Sequence, residues 1–286
     1  LSLGGRQIAD RADESSLIQL MRKWRLPLLL LLACLVALDV RGAMGIAANL
    51  TYAACLGNPA DPAQRIEACT QIIDNKAEGP DKRATAYFKR AYAWSMEGDL
   101  DRAISDSDQA ISLNPEYASA YYNRGYDWAL KGDYDRAIAD YGQAIAFDPT
   151  LVGVYENRGQ SWGGKGDYDR AIADFNVAIG LDPKGAYAYY GRGLAWSYKG
   201  DDDLAIADYD RAVDLDPTLA DAYYALGLAW AHKGDHDQAI VDYGRAIALN
   251  QKSADFYNAR SKSWTAKGNR ERAEADQKMA AGIQGK

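Results

Sequence analysis

Histidine is almost missing from this chain: two in 286 residues, His232 and His236. They are four apart, a spacing that on one helix brings two metal ligands together. Gly234-Asp235 lies between them, which puts them on different helices and argues against a metal pair. With so little imidazole, no Ser-His-Asp or Cys-His arrangement can be assembled, and no glycine-rich phosphate loop occurs. An excess of positive charge is also missing. The formal net charge is −7, and no basic patch interrupts the acidic pattern, which excludes nucleic acid as a partner because phosphate binding needs cations to displace counterions. Phenylalanine is scarce at four residues, whereas tyrosine reaches 20 and tryptophan seven, a balance suited to half-buried helix contacts rather than to a thick core. Apolar runs are short. The longest, Leu26 to Leu38, falls below the roughly 20 residues of a membrane span.

What the chain does have is a period. Gly98, Gly132, Gly166, Gly200, Gly234 and Gly268 are each 34 residues apart, as are Trp94, Trp128, Trp162, Trp196, Trp230 and Trp264; Pro115, Pro149, Pro183 and Pro217 keep the same step. A strict repeat of this length means stacked copies of one supersecondary unit, each burying its face against the next. Each unit reads as two helices. The first covers roughly Ala118–Leu130, and Gly132 stops it in the left-handed conformation. Asp133 then caps the second, with Asp135 near its positive end and Ala137, Ile138, Tyr141, Ala144 and Ile145 on one stripe; Pro149 bars its continuation. The small columns of Gly125, Gly159, Gly193 and Gly227, and of Ala103, Ala137, Ala171, Ala205, Ala239 and Ala273, let the paired helices approach.

This pattern resembles the tetratricopeptide repeat, whose signature is W-x2-L-G-x2-Y…A-x3-F…P. Here the first half is Tyr121-x2-Arg124-Gly125-x2-Trp128, with Tyr and Trp exchanged and Arg in the Leu place; the second half is met by Ala137-x3-Tyr141 and Ala171-x3-Phe175. The resemblance implies an all-α, right-handed superhelical solenoid of six helix hairpins, with repeats at 84–117, 118–151, 152–185, 186–219, 220–253 and 254–286. It also implies a concave groove lined by first helices that holds a peptide or protein. The family places the fifth, ninth and twelfth or thirteenth residues of each first helix in that groove. Those positions are Phe88, Tyr92, Tyr122, Tyr126, Glu156, Gln160, Tyr190, Leu194, Tyr198, Tyr224 and Leu228. The alternative is that many of them pack between adjacent repeats. Asn123 and Asn157 match the asparagines of the family's carboxylate clamp, but its basic positions are Ser, Gly and Tyr here, so the clamp is not carried over.

One charged pattern departs from the family. Arg90, Arg124, Arg158, Arg192 and Arg260 stand where Leu is usual, with Leu226 the exception; Asp106, Asp140, Asp174, Asp208, Asp242 and Asp276 form a matching column. A ladder of Arg–Asp pairs tying first to second helices is one expectation, with Arg stems on aromatics; two solvated columns are the other. The Gly-Asp-x-Asp runs, Asp201-Asp202-Asp203 included, lack the calcium-loop pattern and are explained by helix capping. The last repeat drifts, with Ser261 for the packing Gly and Gln277 for the aromatic, as suits a terminal cap.

Ahead of the array, residues 1–20 read as an extension outside the native chain or without structure. Residues 21–48 read as a signal peptide: Met21-Arg22-Lys23-Trp24-Arg25, the apolar run, then small residues around Gly45, Ala47 and Ala48. A signal-anchor, leaving the chain on the inner membrane, is an alternative. Residues 49–83 read as a helical cap carrying Cys55 and Cys69, with Ala63–Asn75 a degenerate second helix and Lys76–Lys82 the loop into the array. In an exported chain this even pair favours a disulfide over two buried thiols. The expectation is a periplasmic, non-catalytic scaffold without cofactor or metal, touching membrane only through its signal segment. Self-association through the array ends and a cytosolic adaptor are the competing readings.

Overall fold

The computed structural model describes residues 51–57 and 61–284, so the segments 1–20 and 21–48 and the turn at 58–60 lie outside the described residues. The described residues are helical throughout. A helical stretch at 51–56 (α1) leads to α2 (Pro62–Asp74). Six hairpins follow: α3 (Pro80–Met96) with α4 (Leu100–Leu113), α5 (Ala118–Leu130) with α6 (Tyr134–Phe147), α7 (Val152–Gly164) with α8 (Tyr168–Leu181), α9 (Ala186–Lys199) with α10 (Asp202–Leu215), α11 (Ala220–His232) with α12 (His236–Leu249), and α13 (Ala254–Ala266) with α14 (Arg270–Gln284). One boundary differs from the sequence reading. The loop expected through Lys82 ends earlier, because Pro80 occupies the first turn of α3, where its fixed φ and missing N–H cost nothing, and Asp81 faces the helix N-terminus.

The turns repeat one chemistry. Gly132 sits at φ 79°, and the Asp133 N–H donates to Trp128 O at 2.9 Å, closing the end of α5. The Asp133 carboxylate then accepts from the Arg136 N–H and caps α6. The glycine column inside first helices serves one aromatic ring each. A Cβ on Gly125 would meet Tyr141 Cε1 at 2.9 Å, and one on Gly193 would meet Tyr209 Cε1 at 2.6 Å; Gly159 and Gly227 stand likewise against Phe175 and Tyr243. Where the ring is missing, so is the glycine. Buried Ala91 faces a first repeat with Ser107 in the ring's place, and Ser261, in the last, turns its hydroxyl to Ala273 O at 2.9 Å. The interior aromatics are therefore the second-helix rings. The tryptophans are half-buried. Arg102, Arg136, Arg170 and Arg272 lie over Trp94, Trp128, Trp162 and Trp264 with 3.7, 4.2, 4.6 and 4.6 Å to the ring centroids.

The Arg–Asp ladder is present. Arg90, Arg124, Arg158, Arg192 and Arg260 each grip Asp106, Asp140, Asp174, Asp208 and Asp276 through Nε and Nη2, at 2.6–2.8 Å. The guanidinium groups also lie over Tyr87, Tyr121, Tyr155, Tyr189 and Tyr257. These aspartates are buried, so the planar two-bond geometry offsets their desolvation. A second ladder, on the hairpin tips, joins successive repeats: Lys131 to Asp101, Lys165 to Asp135, Lys199 to Asp169, Lys233 to Asp203 and Lys267 to Asp237. Its carboxylates are exposed and each pair adds at most about 1 kcal/mol.

Curvature follows from which helices touch. Among the described residues α3 meets α5, α5 meets α7, α7 meets α9, α9 meets α11 and α11 meets α13, while successive second helices do not meet. A two-layer stack bends toward the layer with the closer spacing, so the first helices line the concave side. The N-terminal end of the array is covered by residues ahead of α3. Cys55 and Cys69 are joined in a disulfide, Cα–Cα 4.8 Å, and with Ala68, Ile72 and Ile73 they pack on Ala86 and Tyr87 of α3.

Two consequences can be measured. Cross-linking a loop of this length removes about 3 kcal/mol of chain entropy from the unfolded state. Cys55→Ala/Cys69→Ala is therefore expected to lose roughly that much stability in urea unfolding, with reduced wild type following it. Asp242 faces Leu226 rather than an arginine, and burial pushes its carboxyl up to about 6; Arg245 Nη1, at 3.3 Å, opposes the shift, and Asp210 adds to it. A folded pKa above the unfolded one means stability falls as pH rises from about 4 to about 6 and stays low above, by about 2–3 kcal/mol. Asp242→Asn is expected to abolish that slope and raise the melting temperature at pH 8 but not at pH 4, read by calorimetry.

Candidate functional site

The concave layer sorts the groove positions expected from sequence into two sets. The fifth residues are half-buried, and Phe88, Tyr122 and Tyr224 wedge against the following hairpin. Phe88 lies 5.0 Å from Tyr117, ring centroid to ring centroid. Tyr122 lies 6.0 Å from Tyr141 and accepts a hydrogen bond from Asn157 Nδ2 at 2.8 Å across to α7. Tyr190 is 6.1 Å from Tyr209, and Tyr224 is 4.9 Å from Phe256 of the last hairpin. Glu156 is half-buried, and burial together with Asp182 holds its carboxyl above the usual range.

The ninth and thirteenth residues face outward. Tyr92, Tyr126, Gln160 and Leu228 are exposed, Leu194 is half-buried, and Tyr198 is 70% exposed while stacked on Tyr168 at 5.2 Å. Burial pushes the Tyr190 phenol up to about 12 and the Tyr122 and Tyr224 phenols up as well, so these three offer O–H groups and no charge at neutral pH.

Three hollows open along this layer. The first, about 670 Å³, brings Phe88, Tyr92 and Tyr122 together with Arg65 of α2, Lys89 and Asn123. The second, about 390 Å³, brings together Gln160, Tyr190, Leu194 and Tyr198 over Phe175. The third, about 740 Å³, holds Tyr224 and Leu228 with His236, Asn258 and Lys262. Tyr126 and Glu156 line none of the three. Sequence reasoning missed Lys89, although a break in its repeat column marks it: the matching residues are Asn123, Asn157, Gly191, Ala225 and Ala259. Asn123 was singled out only through the clamp comparison and was not carried into the groove set. Arg65 was missed because the cap lies outside the repeat register.

The two histidines sit on α11 and α12 and do not share a site. His232 Nδ1 is 2.5 Å from Asp202 Oδ2, whereas His236 Nδ1 is 3.4 Å from Ser263 Oγ. Among the described residues no group of three His, Cys, Asp or Glu could hold a metal ion. The arrangement offers aromatic and aliphatic contact area with phenolic and amide hydrogen bonding, which suits recognition of a peptide surface.

Wedge and outward positions should differ in stability. Tyr122→Ala is expected to lower unfolding free energy by about 2 kcal/mol through the cavity and the lost Asn157 contact. Tyr126→Ala is expected to stay within about 0.5 kcal/mol of wild type in the same urea titration.

Models of the tetratricopeptide repeat match residues 118–151, 152–184 and 220–253, and a model described as TPR repeat matches 198–234. No curated protein matches the chain. Among solved structures, MamA is 31% identical over 56% of this chain and 94% of that one, with a TM-score of 0.52. YrrB, described as a TPR protein with an unusual peptide-binding site, is 24% identical over 65% and 94%, with a TM-score of 0.53. PilW, described as a widely conserved type IV pilus biogenesis factor, is 20% identical over 68% and 90%, with a TM-score of 0.63. With the period, the hairpins and the glycine–ring contacts already in place, these matches establish that the chain belongs to the tetratricopeptide repeat family.

Proposed function

We propose that this protein is a non-catalytic scaffold of the cell envelope that holds a segment of a protein or peptide partner in the concave groove. The observation that carries the reading is the outward row Tyr92, Tyr126, Tyr198 and Leu228 on the layer of first helices. Large, rigid, amphipathic side chains left uncovered on a concave face are what a binding surface needs, and tyrosine supplies area at low entropic cost. The peptide-binding site named for YrrB and the pilus-biogenesis role named for PilW agree with this use of the fold. An envelope location is supported by the Cys55–Cys69 disulfide, which an oxidising compartment sustains, and by the signal-like text at 21–48. No described helix is long and apolar enough to cross a membrane.

The test begins with selection of a random-peptide display library on the full chain. The recovered peptide is then titrated calorimetrically against wild type and against Tyr126→Ala/Tyr198→Ala. Both side chains are exposed, and Tyr198 gives up only its stack on Tyr168, so the double variant should stay cooperatively folded and lose at least about tenfold in affinity. Equal affinity for both proteins would take the binding site out of the groove.

A further inference from the structure

The second hollow is set apart by what its wall lacks. Of the three, it alone has no Lys, Arg or His among its lining residues; Lys89 lines the first, and His236 and Lys262 line the third. Elsewhere the chain lays its own cations on its rings. Trp94, Trp128, Trp162, Trp196, Trp230 and Trp264 each lie under a Lys or an Arg. The Tyr121, Tyr155 and Tyr189 rings lie under arginines of their own helices. Among the described residues no cation lies over Tyr168, Tyr190 or Tyr198, the three phenols of this hollow. The basic side chains on the neighbouring hairpin tips are engaged elsewhere: Lys165 pairs with Asp135 and lies over Trp162, and Lys199 pairs with Asp169 and lies over Trp196.

The rings are placed to receive a cation from outside. Tyr168 and Tyr198 stack with 5.2 Å between centroids and 6° between planes, which covers one face of Tyr198. That residue is still 70% exposed, so its other face is open. Phe175 forms the floor, buried beneath Gly159 and Gly191, where a Cβ on either would press on its ring. Beside Gly163 the space is clear, since a Cβ there would meet nothing within 4 Å. Oxygen acceptors surround the opening. The Tyr122 hydroxyl is tied to Asn157, but the residue in that relation to Tyr190 is Ala225, so the Tyr190 hydroxyl has no partner among the described residues. Gln160 is exposed in the wall, and Glu156 stands one turn before it on α7. Besides burial, the charge of Asp221 holds the Tyr190 phenol up. Neither Glu156 nor Asp221 is in an ion pair among the described residues.

From this arrangement we infer that the second hollow binds a guanidinium group: an arginine side chain of the partner's peptide. The planar cation lies on the open face of Tyr198 as a third layer on the Tyr168–Tyr198 stack. Its N–H groups donate to the Gln160 and Tyr190 oxygens, in the negative field of Glu156 and Asp221. A ring face attracts a cation through its quadrupole, and a guanidinium lies flat on it where an ammonium is only a point charge. The net charge of −7 draws a basic segment to the wall from a distance. This assignment rests on the groove reading and adds the chemical class of one side chain that the groove holds.

The test uses the full chain and three blocked pentapeptides in calorimetric titration. They are acetyl-Ala-Leu-Arg-Leu-Ala-amide, its citrulline counterpart, which keeps the shape and loses the charge, and its Lys counterpart. The Arg peptide is expected to bind about tenfold more tightly than the citrulline peptide, and more tightly than the Lys peptide. Tyr198→Leu keeps apolar area and removes the ring, so it should bind Arg and citrulline within about twofold of each other. Tyr198→Phe should retain the preference, and Asp221→Asn should narrow it. Both positions are exposed, so all three variants should unfold in urea as cooperatively as wild type. Equal binding of Arg and citrulline by wild type would overturn the inference, as would equal binding of Arg and Lys. So would a preference that survives in Tyr198→Leu, which would assign it to net charge alone, or no binding of the Arg peptide up to about 1 mM. Equal Arg and citrulline binding that Tyr126→Ala/Tyr198→Ala still weakens would leave the groove reading standing and remove this one.

Discussion

A ring under a glycine is the contact on which this architecture depends. One hairpin of two short helices cannot enclose an aromatic side chain, because both helices are open to solvent on their far sides. Tyr141, Phe175, Tyr209 and Tyr243 are nevertheless buried almost completely, each against a first-helix glycine of its own hairpin. The glycine brings the two backbones close, and the ring fills the remaining space and touches the next hairpin. Buried rings of this size supply a large share of the apolar area that such a thin stack can hide. The first and last repeats, which lack the ring, lack the glycine too.

Polar ladders fix orientation rather than supply the bulk of stability. The bidentate Arg–Asp grip sets the rotation of each first helix against its second, because a planar fork accepts only one geometry. Its cost is visible at Leu226, where the arginine is gone and Asp242 remains buried with Arg245 alone beside it. The Lys–Asp contacts run from repeat to repeat and lie near water, so they steer register weakly.

The groove is a by-product of spacing. First helices that touch and second helices that do not produce a curved wall, and the side chains on the inner curve divide into those that wedge repeats together and those left over. Only the left-over set is available to a ligand. At the N-terminal end the wall is completed by a helix that is not part of the repeat array. The disulfide holds that helix in place, and with it Arg65, beside Phe88 and Tyr92.

The period, the hairpins, the caps, the pairing of the cysteines and the Arg–Asp columns were legible in the residues, because each rests on chemistry within a few positions or on an exact spacing of 34. Helix ends need only a glycine with positive φ and an aspartate to accept an N–H. What a side chain touches across repeats was not legible. Tyr122 and Tyr126 look alike as text, yet one is locked to Asn157 and the other points outward, a difference set by how far apart successive first helices stand. The start of α3 at Pro80, the arginines over the tryptophans and the unpaired amide of Asn123 likewise appeared only in three dimensions. Local hydrogen bonding and strict repetition are written along the chain; the distance between non-adjacent helices is set by the packing of all of them together, and that distance decides which residues are left to bind.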